Sequence, residues 1–234
     1  MSAKEAKDPR DDAVVADLRA ARAAAERRSP AGGSPSLVGS GIVVGPSLAA
    51  AIEESRRRVT ENPADVEARV NLAYALEQSG RVDGAIQEIT RALELAPDSI
   101  PLLVHRASIL TARLRYDQAE ADLKRAARLQ ESNVEVLVAM GILACRRGRW
   151  KDAVEPLKRA VEQDPQNPTA HFYLGETYNH LDQLPAALSA YEAAAALQPD
   201  NWRSFKAIGI VLDRLRRPEE AAAAYRQAIE LQRR

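Results

Sequence analysis

Residues 134–167 read VEVLVAMGILACRRGRWKDAVEPLKRAVEQDPQN, and the same phase recurs without insertion from Val66, Ile100, Pro168 and Trp202, a repeat of 34 residues. In the quoted unit Gly141, Ala153 and Ala160 occupy the eighth, twentieth and twenty-seventh places. The other units place Ala73, Ala107, Gly175 and Gly209 at the eighth, Ala85, Ala119, Ala187 and Ala221 at the twentieth, and Ala92, Ala126, Ala194 and Ala228 at the twenty-seventh. An alanine-rich chain makes single coincidences easy. A complete set at three phases has a geometric cause: two helices approach where only a small side chain fits. Larger apolar residues fill the space between, with Leu72, Met140, Leu174 and Ile208 at the seventh place and Ile89, Leu123, Leu157, Tyr191 and Tyr225 at the twenty-fourth. The period therefore predicts an all-α solenoid of antiparallel helix pairs, and an interaction surface before a catalytic pocket.

Helix limits follow from local chemistry. The residue before each unit is Asp65, Ser99, Asn133, Asn167 or Asn201, all side chains that accept from the free N–H groups of a helix start, so each first helix is expected to be capped. Gly80 and Gly148 lie at the turn between the two helices, and Pro97, Pro165 and Pro199 follow the second helix and stop it. Pro156 falls inside a second helix, where a lost hydrogen bond and a slight bend near Asp152 are expected.

Small residues at these three phases, a large apolar or aromatic residue at the twenty-fourth place and a proline at the thirty-second resemble the tetratricopeptide repeat (TPR) family, over residues 66–234. The units are 66–99, 100–133, 134–167, 168–201 and 202–234. Departures are local: Arg69, Leu103, Leu137, His171 and Phe205 replace the family's early tryptophan, Glu131 and Arg233 replace its proline, and Arg106 stands where a leucine is expected. For Arg106, a stem on apolar neighbours with its head in water is favoured over a buried ion pair on general burial habits.

The resemblance implies a right-handed superhelix whose first helices line a concave groove. Carried over residue by residue, the ligand positions include Val70, Tyr74 and Gln78, then Val104, Ser108 and Thr111, then Val138, Ile142 and Arg146, then Phe172, Glu176, Asn179 and His180, then Lys206, Ile210 and Arg214. The N-terminal end is acidic through Glu67 and Glu77, the middle apolar or small, and the C-terminal end mostly basic. Val104, Val138 and Ile142 are expected to face solvent until a partner's side chain covers them, against the alternative that groove curvature buries them. The family's clamp for chaperone C-terminal carboxylates is excluded, since its opening pair would be Val70 with Tyr74, Val104 with Ser108 or Val138 with Ile142.

Composition narrows the partner class. With 33 basic and 33 acidic residues the formal charge is zero, which argues against nucleic acid, as does a unit of 34 rather than 35 residues. The turns within repeats carry an excess of cations and the junctions between repeats an excess of carboxylates, a split that helix dipoles account for. The lone Cys145 allows no internal disulfide, and the charged N-terminus has no signal-peptide core; neither it nor any other segment has the apolar length of a membrane span, so a cytoplasmic protein with no membrane partner is expected. His105, His171 and His180 lack metal spacing, adjacent Asp11 with Asp12 and Glu53 with Glu54 do not share a helical face, and no glycine-rich phosphate loop is present. No catalytic residue, metal or cofactor is therefore assigned.

Outside the units, residues 47–65 form half a repeat: a helix with Leu48, Ile52 and Val59 on one face and ion pairs Glu53 to Arg57 and Glu54 to Arg58, capping the solenoid. Residues 1–46 are expected to be a flexible tail with a candidate helix over 11–28. The tail's Leu37, Val38, Ile42, Val43 and Val44 offer a possible groove occupant in cis, although a plain linker is the simpler reading. At the other end Tyr225 and Ile229 are expected to stay partly open and to give a weak homo-oligomer through residues 218–234, the alternative being a scaffold that self-assembles.

Overall fold

Ser47 accepts the Ala50 N–H on its hydroxyl and starts α1 (Leu48–Glu61) in a computed structural model that describes residues 47–233. The candidate helix over 11–28 and the rest of the tail lie outside the described residues. Five helix pairs follow: α2 (Val66–Gln78) with α3 (Val82–Leu95), α4 (Ile100–Ala112) with α5 (Tyr116–Leu129), α6 (Val134–Arg146) with α7 (Trp150–Gln163), α8 (Pro168–His180) with α9 (Leu184–Leu197), and α10 (Trp202–Arg214) with α11 (Pro218–Gln232). Among the described residues there is no strand.

Asp65, Asn133, Asn167 and Asn201 cap their helices as expected. The Ala68 N–H on Asp65 holds that carboxyl below its ordinary range. Ser99 makes no cap bond, and Pro101 in the first turn of α4 removes one of the N–H donors a cap serves. The α1 ion pairs also differ from expectation: Arg56 reaches Glu53 and Arg57 reaches Glu54, three residues apart, while Arg58 turns to Asp65. Helix α7 runs through Pro156 without interruption.

The first and second helices of a pair meet where the eighth residue faces the twenty-fourth. A Cβ added to Gly141 would lie 2.4 Å from Leu157 Cγ, one on Gly175 2.8 Å from Tyr191 Cδ1, and one on Gly209 2.6 Å from Tyr225 Cε1. Ala73 and Ala107 tolerate their methyl groups opposite the aliphatic Ile89 and Leu123. Ile89, Leu123 and Leu157 are fully buried at these contacts, each worth about 1.5–3 kcal/mol of transfer free energy.

Every turn inside a pair closes the same way. The N–H groups of Arg81, Arg115, Arg149, Gln183 and Arg217 reach back to the carbonyls of Leu76, Leu110, Ala144, Tyr178 and Leu212, the six-to-one bond of a Schellman turn. The preceding residue must take positive φ. Gly80 and Gly148 do so at +77° and +69°, but Leu114, Asp182 and Arg216 are held there at +60°, +60° and +62° without a glycine's freedom.

Arg106 overturns the expectation that its head lies in water. Its Nε and Nη2 donate to the Asp122 carboxylate at 2.8 and 2.6 Å and its Nη1 to Thr90 Oγ1 at 3.1 Å, because Asp122 of α5 is buried and needs donors. Glu88 holds the equivalent place one repeat earlier and accepts from the buried Arg69, which also donates to the Pro63 carbonyl.

Successive repeats stack through their first helices: α4 touches α6, α6 touches α8 and α8 touches α10, in addition to contacts between consecutive helices. The second helices of neighbouring repeats lack comparable contact, so the first helices form the inner face of a curved stack. Gly175→Ala should lower unfolding free energy by about 1–3 kcal/mol in urea titration, because the Tyr191 ring cannot fold away from a new methyl. Adding Tyr191→Leu, which recreates the Ala107 and Leu123 pairing, should recover part of that loss.

Candidate groove between the first helices

Side chains at the second, fifth, ninth, twelfth and thirteenth places of a first helix share one face, and stacking sets five such faces side by side. On α2, Val70 is half-buried, Gln78 exposed, and Tyr74 is 50% exposed while its ring stacks on His105 at 4.2 Å. The His105 Nε2 lies 3.0 Å from Glu77 Oε2, and its buried Nδ1 has no partner among the described residues. On α4, Val104 is half-buried and Ser108 exposed, while Thr111 is buried and donates its hydroxyl to the Ala107 carbonyl at 2.7 Å.

The expectation for Val138 fails. It is 9% exposed, packed among Leu137, Ala160 and Ala170, because the first turn of α8 closes over it. Thr111 is likewise withdrawn into the stack, so neither side chain offers an open surface. Ile142 is half-buried and Arg146 exposed, and between them Cys145 is buried with Sγ 3.3 Å from Thr177 Oγ1. Since Thr177 spends its proton on the Tyr173 carbonyl at 2.7 Å, the thiol is the donor in that contact. Burial pushes the Cys145 thiol up to about 11.

Further along, Phe172 is half-buried edge-on to Tyr191, Glu176 and Asn179 are half-buried, and the exposed His180 lies flat on Trp150 at 3.7 Å. Arg214 bonds back to Asn179, through both carbonyl and side chain, and to Asp182 at 2.6 Å, which ties α10 to α8. Lys206 stands over the Trp202 ring at 6.0 Å and Ile210 is 40% exposed.

The structure gathers Ser108, Thr111, Ile142 and Arg146 around one cavity of about 420 Å³, with Ala107, Ala112, Ala139, Leu114, Leu123 and Tyr173 as its remaining walls. Tyr173 and Ala139 occupy the sixth place of their helices, as does His105, a place the sequence reading passed over. Helical geometry was the available signal: the sixth place is four after the second and three before the ninth, hence on the same face.

The positive edge has a cause beyond helix dipoles. Arg115 reaches Asp83, Arg147 reaches Asp117 and Glu120, and Arg214 reaches Asp182, each across one repeat boundary. These pairs are partly exposed and individually worth under about 1 kcal/mol, but they neutralise much of that edge.

A tetratricopeptide repeat family model matches residues 47–100, 106–168, 138–201 and 181–233. The chain belongs to the TPR family. Among solved structures, it is similar to MamA from Desulfovibrio magneticus RS-1, with a TM-score of 0.62 and 18% identity over 72% of this chain and 95% of that one. It is also similar to YrrB, described as a TPR protein with an unusual peptide-binding site, with a TM-score of 0.56 and 23% identity over 78% and 94% of the two chains. The Cut9–Hcn1 hetero-tetramer of the APC/C superposes with a TM-score of 0.71 and 18% identity, covering 79% of this chain and 37% of that one. No curated protein sequence matches the chain significantly. At these identities the likeness to solved structures establishes the TPR fold and nothing finer.

Within this TPR stack no group of three His, Cys, Asp or Glu side chains comes together as a metal site among the described residues. No helix of the described residues is long and apolar enough to cross a membrane. Native Cys145 should resist alkylation at pH 8 by roughly 100-fold or more relative to the urea-unfolded chain, because a raised thiol pKa leaves almost no thiolate and burial blocks the reagent. The rate of iodoacetamide incorporation, read by mass spectrometry with and without urea, checks this.

Proposed function

We propose that the chain is a non-enzymatic protein-interaction module, an adaptor or assembly factor, that holds an extended or helical partner segment along the inner face of its TPR stack. The observation that carries this reading is the pair of large apolar side chains left open on that face, Tyr74 in the first repeat and Ile210 in the fifth, on either side of the central cavity. Their exposure serves no packing purpose, and a bound segment would cover both. The peptide-binding site in the description of YrrB supports the reading by analogy of fold. A cytoplasmic site of action agrees with a single reduced cysteine, and neither nucleic acid nor membrane is needed as a partner.

The test is affinity capture from the native cell with quantitative mass spectrometry. Tyr74→Ala combined with Ile210→Asp should reduce recovery of specific partners at least roughly tenfold with unchanged circular dichroism, since each →Ala-scale loss at a buried anchor is worth 1–2 kcal/mol. Equal recovery by wild type and variant would remove the inner face from the interaction.

A second reading, self-association, rests on α11. Ile229 is 49% exposed, Tyr225 is half-buried with its hydroxyl donating to Asp213 at 2.8 Å, and a cavity of about 400 Å³ opens beside them between Pro199, Arg226, Glu230 and Leu231. Ile229→Glu should abolish any concentration-dependent rise in sedimentation coefficient, and a wild type that sediments as a monomer throughout would dismiss this reading.

A further inference from the structure

The cations near the centre of the stack divide into two kinds. Arg147 spends its guanidinium on Asp117 and Glu120, at 3.1 and 2.6 Å, and Arg149 sits 3.9 Å from the same Glu120. Arg146 is exposed, and no carboxylate comes within ion-pair distance of it among the described residues. Its backbone is fixed, because the Tyr116 hydroxyl donates to its carbonyl at 3.1 Å. The last residue of α6 thus places an uncompensated guanidinium at the lip of the 420 Å³ cavity from a fixed point of the backbone.

The rest of that cavity is apolar or hydroxylic. Ala107, Ala112 and Ala139 leave space that longer side chains would fill, Ile142 and Leu123 supply apolar wall, and Ser108 offers an exposed hydroxyl. Volumes of this order take one branched or aromatic side chain with its flanking backbone. A guanidinium beside such a hole selects a carboxylate close to the inserted group.

We infer that the segment held by the inner face carries an apolar anchor residue one or two places from an internal Asp or Glu, the anchor entering the cavity and the carboxylate meeting Arg146. This deepens the function proposed above and rests on it. The carboxylate belongs to an internal residue and not to a chain terminus, because the open apolar side chains of Tyr74 and Ile210 lie on both sides of the cavity and a segment covering them runs past Arg146 in each direction.

The experiment selects displayed random peptides of about a dozen residues, fused so that their C-termini are blocked, on the full chain and on Arg146→Glu. Wild type should enrich an apolar residue beside Asp or Glu, and the best peptide, resynthesised with an amidated C-terminus, should lose affinity roughly tenfold or more on Arg146→Glu by fluorescence anisotropy. Selection on Arg146→Glu should move the acidic position to Lys or Arg, while circular dichroism matches wild type, since the residue is exposed. Enriched peptides without an acidic preference, or an anisotropy unchanged by Arg146→Glu, overturn the inference and leave groove binding standing. A requirement for a free C-terminal carboxylate also overturns it. Failure to enrich any peptide, with Tyr74→Ala and Ile210→Asp without effect in cells, overturns groove binding itself.

Discussion

The spacing between paired helices is governed by the contact of the eighth side chain with the twenty-fourth. Where Leu157, Tyr191 or Tyr225 stands at the far side, the near side has no Cβ at all; where Ile89 or Leu123 stands there, an alanine fits. The pair is then close enough that its other two small positions, such as Ala85 and Ala92, are fully buried. Interhelical distance in turn fixes how far each first helix sits from the next, and that distance is the floor of the groove. Ala107, an eighth-place residue, is also a wall of the central cavity, so the same constraint that closes the pair opens the inner face.

One place earlier on the second helices, the first two repeats use charge where the last three use apolar groups. At the twenty-third place Glu88 and Asp122 are buried and held by Arg69 and Arg106, whereas Pro156, Ala190 and Ala224 follow in the later repeats. A carboxylate buried with a guanidinium gives little net stability, yet its geometry is directional and an apolar contact's is not. At this place the first two pairs are therefore held by oriented bonds and the later three by shape, with an aromatic group of Phe172, Tyr173 and Tyr191 in the fourth repeat.

Much of this was legible from residue types alone, because a period with small side chains at fixed phases admits one kind of helix pairing. What escaped has a common physical origin. Leu114, Asp182 and Arg216 take the left-handed turn that Gly80 and Gly148 advertise, and nothing in a leucine or arginine signals it; only their place in the repeat does. The pairs from Arg115 to Asp83 and from Arg147 to Asp117 join residues about a repeat apart, which become neighbours only after stacking. The carried-over groove positions assumed equivalent exposure in every unit. Val138 shows otherwise, since its burial depends on Ala170 of the following repeat. His105 and Tyr173 were within reach of helical geometry and needed no structure to find.

Every packing relation in the stack joins a helix to one of its next two neighbours along the chain, and no bond returns from the last repeat to the first among the described residues. Such a topology sets a timetable for biosynthesis. Each pair can close as soon as the following first helix leaves the ribosome, without waiting for distant sequence, and loop-closure entropy stays small throughout. Translation can thus lay down the inner face in order from Tyr74 toward Ile210, with the Ser108 to Arg146 region complete before the fifth repeat is made.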